Sequence, residues 1–359
     1  MSIIESKTGK VIVERVSESR IKEVDTKNVS FGKHFSDHIA CIDYAEGAWH
    51  RPRIQPYGYI PTSPAISAIH YGQAIFEGMK AYRNKDGKVV LFRPLDNHKR
   101  LNISASRLCM PEIPQDLFMD MLVELMKIDN EWVLPGEQNS LYIRPVYFAT
   151  DEFIGVRESL TYRLIILTCP VSIYYTDPIK VMVANNFVRA YQGGVGFAKV
   201  AGNYANSLLA TREAKALGYT NVLWMDAETR KNIEESGTMN VFFVIDGKVV
   251  TPRLTGTILA GITRDSVITL LKDANIPVEE RDISIDEIAQ TYKDGKLQEV
   301  FGTGTAVGIA PIIAIGHEGK DMNLPPMDSW KIAPTLMKQL KDIRFGNIPD
   351  KFSWIYPVE

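Results

Sequence analysis

The spacing of apolar positions changes along the chain, and each change predicts a switch between strand and helix. In the first half, short runs rich in branched and aromatic residues predict strands at 89–92, 140–148 and 162–169. The helical period predicts helices at 97–108 and 116–132. Asp96 or Asn97 is the expected N-cap of the first of these helices. Residues 1–30 are polar with weak periodicity and predict an extended arm or a short strand.

The second half follows a segment of mixed polarity, 171–178, which has proline at both ends. Strands are predicted at 180–184, 221–225, 240–245 and 248–251, and helices at 203–217, 263–274, 286–292 and 329–343. The pair Asp246-Gly247 predicts a tight hairpin. The pattern therefore predicts an α+β fold of two domains, with a site between them. We expect a smaller α/β domain at 1–170, a linker at 171–184 and a larger domain at 185–359.

Length and composition agree with a two-domain globular protein. The chain has 359 residues, of which 45% are hydrophobic and 23% charged. A net charge of -2 argues against nucleic acid as the main partner. No apolar run reaches the roughly 18 residues of a membrane span, and the start lacks a signal-peptide core, so we expect a cytoplasmic protein that binds no membrane. Cys41, Cys109 and Cys169 are too far apart to predict a disulfide framework or a metal site.

One lysine, Lys199, lies in a stretch of small and apolar residues that runs from Tyr191 to Tyr204. Poor solvation there disfavours the charged amine and favours a nucleophile that can form an imine with a carbonyl. The carbonyl could belong to a substrate or to pyridoxal phosphate. A P-loop is a competing interpretation of the preceding glycines. It fails because Ala198 replaces the glycine before the lysine and Val200 replaces the Ser or Thr that would hold magnesium.

Groups that could hold a single phosphate are scattered along the chain. Gly261-Ile262-Thr263 precedes an apolar helix, whose first N–H groups and dipole favour an anion. Thr303-Gly304-Thr305 offers a second set of donors. Arg100 could add a charged fork, although a surface salt bridge is its more ordinary role. The glycines of 302–308 also suggest a dinucleotide fingerprint, but Val307 stands at its third glycine.

Two further groups of residues could complete such a site. Glu234-Glu235 comes just before a predicted strand and could supply the acid that keeps a pyridine nitrogen protonated, although a charged turn is the simpler interpretation. Tyr142 and Arg144 share one face of a strand and could orient a carboxylate.

Taken in order, these segments resemble the branched-chain amino acid aminotransferases of the fold-type IV pyridoxal phosphate family, from about residue 30 to 345. The motifs that carry the resemblance are Phe76-Glu-Gly-Met-Lys80, Tyr142-Ile-Arg-Pro145, Gly193-Gly-Val-Gly196 with Lys199, Gly202-Asn-Tyr204, Glu235-Ser-Gly-Thr-Met-Asn240 and Gly302-Thr-Gly-Thr-Ala306. The resemblance implies reversible transfer of the amino group of Leu, Ile or Val to 2-oxoglutarate through a pyridoxal phosphate–lysine Schiff base. The products would be a branched 2-oxo acid and glutamate. It also implies a homodimer that serves branched-chain amino acid biosynthesis.

The resemblance implies a role for each matching residue. Lys199 would carry the cofactor and move a proton, Glu235 would pair with the pyridine nitrogen, and Tyr204 would bond the phenolic oxygen. The phosphate would be held by Arg100, Ile262, Thr263 and Thr305. Thr305 and Ala306 would present main-chain N–H groups to the substrate carboxylate. Tyr71 and Arg144 would help orient that carboxylate or the side-chain carboxylate of glutamate. The apolar side-chain pocket would be walled by Phe76, Tyr142, Val156, Tyr174 and Thr238, and the loop at 153–156 would reach the neighbouring subunit.

Two other assignments stay open on the sequence. Another fold-type IV enzyme, a D-amino acid aminotransferase or an aminodeoxychorismate lyase, shares part of the pattern. A non-catalytic module that binds a phosphorylated ligand would need no covalent attachment. The chain departs from some family members at 307–310, where Val-Gly-Ile-Ala takes the place of a redox-active Cys-x-x-Cys and excludes thiol regulation of that kind.

Overall fold

The computed structural model describes residues 3–5, 11–25, 29–172 and 178–358, with side chains from residue 11 onward. Its strands are β1 (Ile3–Glu5), β2 (Ile12–Glu14), β3 (His38–Ala45), β4 (Ala48–Trp49), β5 (Arg53–Pro56), β6 (Ala74–Phe76), β7 (Met79–Arg83), β8 (Val89–Phe92), β9 (Ser140–Ala149), β10 (Tyr162–Val171), β11 (Ile179–Val183), β12 (Asn221–Met225), β13 (Ile233–Ser236), β14 (Met239–Ile245), β15 (Lys248–Thr251), β16 (Val278–Glu280), β17 (Leu297–Gly304), β18 (Gly308–His317), β19 (Lys320–Asn323) and β20 (Ile355–Pro357).

The α-helices are α1 (Ser67–Tyr71), α2 (Pro94–Arg107), α3 (Gln115–Ile128), α4 (Ala201–Asn206), α5 (Leu208–Ala216), α6 (Ile262–Asp273), α7 (Ile285–Lys293) and α8 (Ile332–Phe345). Short 3₁₀ helices lie at Arg20–Glu23, Asn130–Trp132 and Met327–Ser329. No helix within the described ranges is long and apolar enough to cross a lipid bilayer.

The chain divides into two compact units that are not continuous in sequence. The first unit contains Met1–Tyr174, Lys199–Ala201 and Lys341–Glu359, and the second contains Tyr175–Ala198 and Gly202–Leu340. The three residues that begin at Lys199 therefore belong to the first unit, although the chain on both sides of them belongs to the second. The predicted domains, 1–170 and 185–359, differ from these units because Lys199–Ala201 and Lys341–Glu359 return to the first unit.

The described strands of the first unit form one sheet in the order β1-β2-β5-β3-β10-β9-β7-β8-β20, with β4 beside β3 and β6 beside β9. Its centre is the antiparallel pair β9 and β10, which stay in register from Ser140–Val171 to Ala149–Tyr162. Helix α3 packs on β3 and β5. Its buried residues Phe118, Leu122 and Leu125 recur at helical spacing and form the face that covers the sheet.

The second unit contains a closed ring of six strands, β13-β12-β11-β18-β17-β14, and the ring closes because β13 also pairs with β14. Strand β11 runs parallel to β12 and β18. Large aromatic side chains are buried on this sheet, and Phe242 stacks on Phe301 with ring centroids 5.2 Å apart. Closure leaves these six strands without an exposed edge, which gives a firm support for the loops at their ends.

Most predicted elements are confirmed, although several ends differ. The strands at 89–92, 221–225 and 248–251 match, and Asp246 and Gly247 have the positive φ of 51° and 78° that a tight hairpin turn requires. The N-cap prediction for α2 is wrong. The helix begins at Pro94 and its N-cap is Arg93, because a proline fits the first helical turn without losing a hydrogen bond.

Two predicted helices are divided in the structure. The helix predicted at 203–217 is α4 and α5, and Ser207 between them donates its hydroxyl to the Tyr204 carbonyl at 2.7 Å. That local bond competes with helix continuation. The helix predicted at 116–132 ends at Ile128, and the 3₁₀ helix Asn130–Trp132 follows it.

Candidate active site

Lys199 is fixed through its main chain by two elements of the first unit. Its carbonyl accepts the Phe76 N–H at 3.1 Å, and its own N–H donates to Ser104 Oγ at 2.8 Å. The next residue, Val200, forms a β-bridge with Ile75. The side chain is half-buried, and its Nζ lies 4.7 Å from the centre of the Phe76 ring. Main-chain movement is therefore restricted while the amine keeps an aromatic wall on one side.

Arg100 forms a buried, two-pronged ion pair with Glu77 rather than a surface salt bridge. Arg100 Nε lies 2.7 Å from Glu77 Oε1, and Arg100 Nη2 lies 2.9 Å from Glu77 Oε2. Glu77 is fully buried, and its Oε2 also accepts the Gly78 N–H at 3.0 Å. Such a fork fixes the plane of the guanidinium group.

Ser104 connects Arg100 to Lys199. Its hydroxyl donates to the Arg100 carbonyl at 3.1 Å, one helical turn earlier, and its oxygen accepts the Lys199 N–H. Neither Ser104 nor Glu77 is among the residues predicted from the sequence. Glu77 lies inside a quoted motif, but nothing local shows that its partner is a helix residue 23 positions later.

The predicted shared face of Tyr142 and Arg144 is confirmed. Arg144 Nη2 donates to the Tyr142 hydroxyl at 2.9 Å, and its guanidinium carbon lies 4.5 Å from the centre of the Phe76 ring. A Cβ at Gly78 would lie 2.1 Å from the Tyr142 hydroxyl, so the position of this phenol requires glycine. Phe76, Tyr142 and Arg144 therefore form one cluster, in which the Phe76 ring also faces Lys199.

The other residues predicted for the substrate pocket lie elsewhere. Tyr71 is 45% exposed at the end of α1, and Val156 is 89% exposed in the loop after β9. The predicted roles, carboxylate binding for Tyr71 and a pocket wall for Val156, stay predictions. Tyr174 lies outside the described residues.

A cleft in the second unit brings together three of the predicted residues, Tyr204, Glu235 and Thr238. The cleft is narrow and partly open to solvent. Its other lining residues are Arg189, Ala198, Asn203, Ser207, Gly237, Asn240 and Leu259. Ala198, one of these lining residues, directly precedes Lys199 in the chain.

Glu235 is held in this cleft by an ion pair at one oxygen and a hydrogen bond at the other. Its Oε2 lies 2.9 Å from Arg189 Nε, and its Oε1 accepts the Leu259 N–H at 2.8 Å. The turn after it needs Gly237, which has φ of 57° and on which a Cβ would lie 2.0 Å from the Asn221 side chain. Arg189 and Leu259 come from distant segments, so neither could be predicted from the local sequence.

The predicted phosphate residues of the second unit lie at the start of α6 and in the turn after β17. Gly261 is the N-cap of α6 and supplies no side-chain cap, so Ile262 and Thr263 begin the helix. Thr305 and Ala306 lie in the β17–β18 turn and are partly buried. The neighbouring Thr303 Oγ1 is buried and has no hydrogen-bond partner among the described residues. A hydroxyl of this kind suits an additional acceptor, such as a ligand oxygen.

Known proteins that match the chain identify its family. The class IV amino-transferase sequence model matches residues 74–315. Branched-chain-amino-acid transaminase 1 of Bacillus subtilis (strain 168) is 44% identical over 353 residues, which cover 97% of this chain and 99% of that protein. The chain belongs to the branched-chain aminotransferases of class IV.

Solved structures of branched-chain aminotransferases share the fold. The enzyme from Escherichia coli superposes with a TM-score of 0.71 at 28% identity, covering 90% of this chain and 99% of that one. The enzyme from Thermobaculum terrenum, solved in its PLP-bound holo form, gives a TM-score of 0.73 at 25% identity, covering 90% and 98%. The fold-type IV resemblance and the two-domain α+β class are thereby confirmed.

Proposed function

We propose that this branched-chain aminotransferase transfers the amino group of leucine, isoleucine or valine to 2-oxoglutarate, with pyridoxal phosphate attached at Lys199. The observation that carries the proposal is a half-buried lysine, fixed through its main chain, which directly follows Ala198, a lining residue of the cleft that contains Glu235 and Tyr204. Relatives that carry the same activity in their names support the substrate class.

The residues present fit the chemical groups of pyridoxal phosphate. The buried carboxylate of Glu235 suits a protonated ring nitrogen, and the Tyr204 hydroxyl suits the phenolic oxygen. For the phosphate, Arg100 offers a charge, the α6 start at Ile262 and Thr263 offers N–H groups, and Thr305 adds a hydroxyl. When bound, the cofactor supplies an electron sink for charge that develops at the substrate Cα.

The protein's own residues would position and move the proton. Lys199 Nζ would take the proton from the substrate Cα, as a general base whose main chain is fixed at Phe76 and Ser104. Because only the side chain has to move, the base would stay in reach throughout the transfer. The Phe76 ring would exclude water on one side of the amine.

Substrate choice requires one pocket for both apolar and acidic side chains. Phe76 and Tyr142 supply aromatic walls, while Arg144 with the Tyr142 hydroxyl supplies a charge for the side-chain carboxylate of glutamate. Thr305 and Ala306 would present main-chain N–H groups to the α-carboxylate. Thr238, at the turn after Glu235, would add to the wall.

We infer a homodimer from the apolar side chains exposed on the first unit. The segment 152–156 is joined to the start of α1 by the Ile66–Glu152 bridge and by the bond from the Phe153 N–H to the Ala65 carbonyl at 3.2 Å. Several large apolar residues on these two segments face solvent: Ile69, Tyr71, Phe153, Ile154 and Val156. Apolar patches of this kind mark protein interfaces. The molar mass in solution tests this inference, and a monomer would contradict it. Location in the cytoplasm stays a prediction.

The decisive experiment combines cofactor trapping with a substrate panel. Borohydride reduction should attach the cofactor permanently to the Lys199 peptide, detected by mass spectrometry. Lys199→Ala should lose both this adduct and the transfer activity, whereas Lys215→Ala, at an exposed lysine on α5, should keep both. Glu235→Ala should still bind the cofactor but react much more slowly. Activity of Lys199→Ala would refute the assignment. Faster reaction with D-alanine than with L-leucine would favour a D-amino acid aminotransferase.

A further inference from the structure

Glu234, next to Glu235 on β13, is a buried carboxyl group that the proposed reaction does not use. The two side chains point to opposite faces of the strand. Glu234 is 5% exposed, and its Oε1 accepts a short hydrogen bond from the Thr257 hydroxyl. The Thr257 hydroxyl lies 2.7 Å from that of Thr255. Glu234 Oε2 is buried and finds no hydrogen-bond partner in the described part of the chain. A carboxyl with one unsatisfied oxygen favours its neutral, protonated form.

Arg189 and Thr257 connect Glu234 to Glu235. Arg189 Nε pairs with Glu235, and Arg189 Nη2 donates to the carbonyls of Thr257 and, at 3.2 Å, Gly196. Thr257 therefore accepts from Arg189 through its carbonyl and donates to Glu234 through its hydroxyl. Thr257 and Arg189 thus link the carboxyl group of Glu234 to that of Glu235 through a continuous series of contacts.

The charges around Glu234 cannot all be balanced at once. Arg189 is the cation that faces Glu234, whereas Glu235 and Asp226 are the neighbouring carboxylates. Burial raises the pKa of Glu234 to about 7, and the Thr257 bond and Arg189 lower it only in part. One guanidinium group neutralises one carboxylate, and the geometry assigns it to Glu235.

We propose that Glu234 is a positioning residue, whose proton sets the net charge of the Arg189–Glu235 pair and so tunes how strongly Glu235 attracts a cationic ring nitrogen. The inference rests on the proposed function, in which Glu235 meets the ring nitrogen of pyridoxal phosphate. When Glu234 is protonated, the net charge of Arg189 and Glu235 together is zero. When Glu234 releases its proton to water, the same cluster gains one negative charge and holds a cation more tightly.

The first test uses the protein without cofactor. A pH titration followed by the infrared band of protonated carboxyl groups should show a group that titrates near neutral pH. Glu234→Gln should remove this signal. Thr257→Val, which deletes the hydroxyl that stabilises the anion, should move it to higher pH. Glu228→Gln, an exposed control nearby in the sequence, should titrate as wild type. An unchanged titration in Glu234→Gln would overturn the proposal.

The second test measures the affinity for pyridoxal phosphate at about pH 6 and about pH 8. Wild type and Glu234→Gln should bind equally at the lower pH, where the side chain at position 234 is neutral in both proteins. At the higher pH the variant should bind about tenfold more weakly, which corresponds to about one pKa unit of coupling. Equal pH dependence in both proteins would overturn the role of Glu234 alone. A protein that binds no pyridoxal phosphate would overturn the proposed function and this role with it.

Discussion

Two glycines on either side of Lys199 should respond in opposite directions to the same added methyl group. A Cβ at Gly196 would lie 2.3 Å from the Thr257 carbonyl oxygen and 2.5 Å from the Ala190 Cβ. A Cβ at Gly202, in α4, would meet no heavy atom of its own unit within 4 Å. Neither glycine has a positive φ, so the backbone of both positions accepts alanine. Comparing the two variants therefore measures how the space available to the added methyl group affects stability.

The magnitudes follow from these contacts. Carbon and oxygen atoms in ordinary contact are at least 3.4 Å apart, so the segments around Gly196 and Thr257 must separate by about 1 Å. Such overpacking costs about 1–3 kcal/mol, offset by about 0.4–1 kcal/mol because alanine restricts the unfolded chain. Gly202→Ala should gain about 0.5–1 kcal/mol from helix propensity. The two variants should thus differ by about 2 kcal/mol.

Urea unfolding of the protein without cofactor measures this difference. We expect a lower midpoint for Gly196→Ala and an equal or higher midpoint for Gly202→Ala, with an unchanged slope in both. The separation at Gly196 also weakens the Arg189 bonds to the Gly196 and Thr257 carbonyls. Equal midpoints, or a lower one for Gly202→Ala, would refute the argument from space.

Two further predictions concern buried carboxyl groups. Glu77→Ala leaves the Arg100 guanidinium buried without its carboxylate and should lower the free energy of unfolding by about 3–5 kcal/mol, which the double variant with Arg100→Ala should partly restore. A loss below about 1 kcal/mol in urea unfolding would contradict it. Because the pKa of Glu234 is about 7 in the native state and 4.5 for an ordinary glutamate, the native state binds that proton more tightly. Stability should therefore fall as pH rises from about 4.5 through about 7, by up to about 3 kcal/mol. Glu234→Gln should lack this slope, and equal slopes would count against the buried, protonated state.

The sequence predicts the elements whose signals are local. The strand 221–225 and the turn at Asp246-Gly247 depend on side chains a few residues apart, and both are confirmed. The start of α2 and the break at Ser207 depend on competing local bonds, which periodicity does not register. Strand β13 was missed because two of its four residues are glutamates, which a sequence pattern predicts to be exposed but which are buried in the folded chain.

The candidate residues show the same division. Lys199 could be selected because its sequence neighbours are small and apolar. Tyr204 and Glu235 could be selected because they lie in family motifs. Arg189 could not, because its importance comes from meeting Glu235, 46 positions later, and two main-chain carbonyls. Partners of this kind are set by packing over long separations, for which one sequence carries no signal.

The first unit can complete its fold only after late segments of the chain have been synthesised. The first unit contains the pairs Ile75–Val200 and Phe92–Ile355, which join early strands to segments that leave the ribosome much later. Folding that depends on such distant pairs is slow. The sheet of the first unit therefore stays incomplete during synthesis. The main-chain bonds that fix Lys199 therefore form only after the chain has passed residue 199. A truncated product that ends before residue 199 has neither the amine nor the bridge that would hold it.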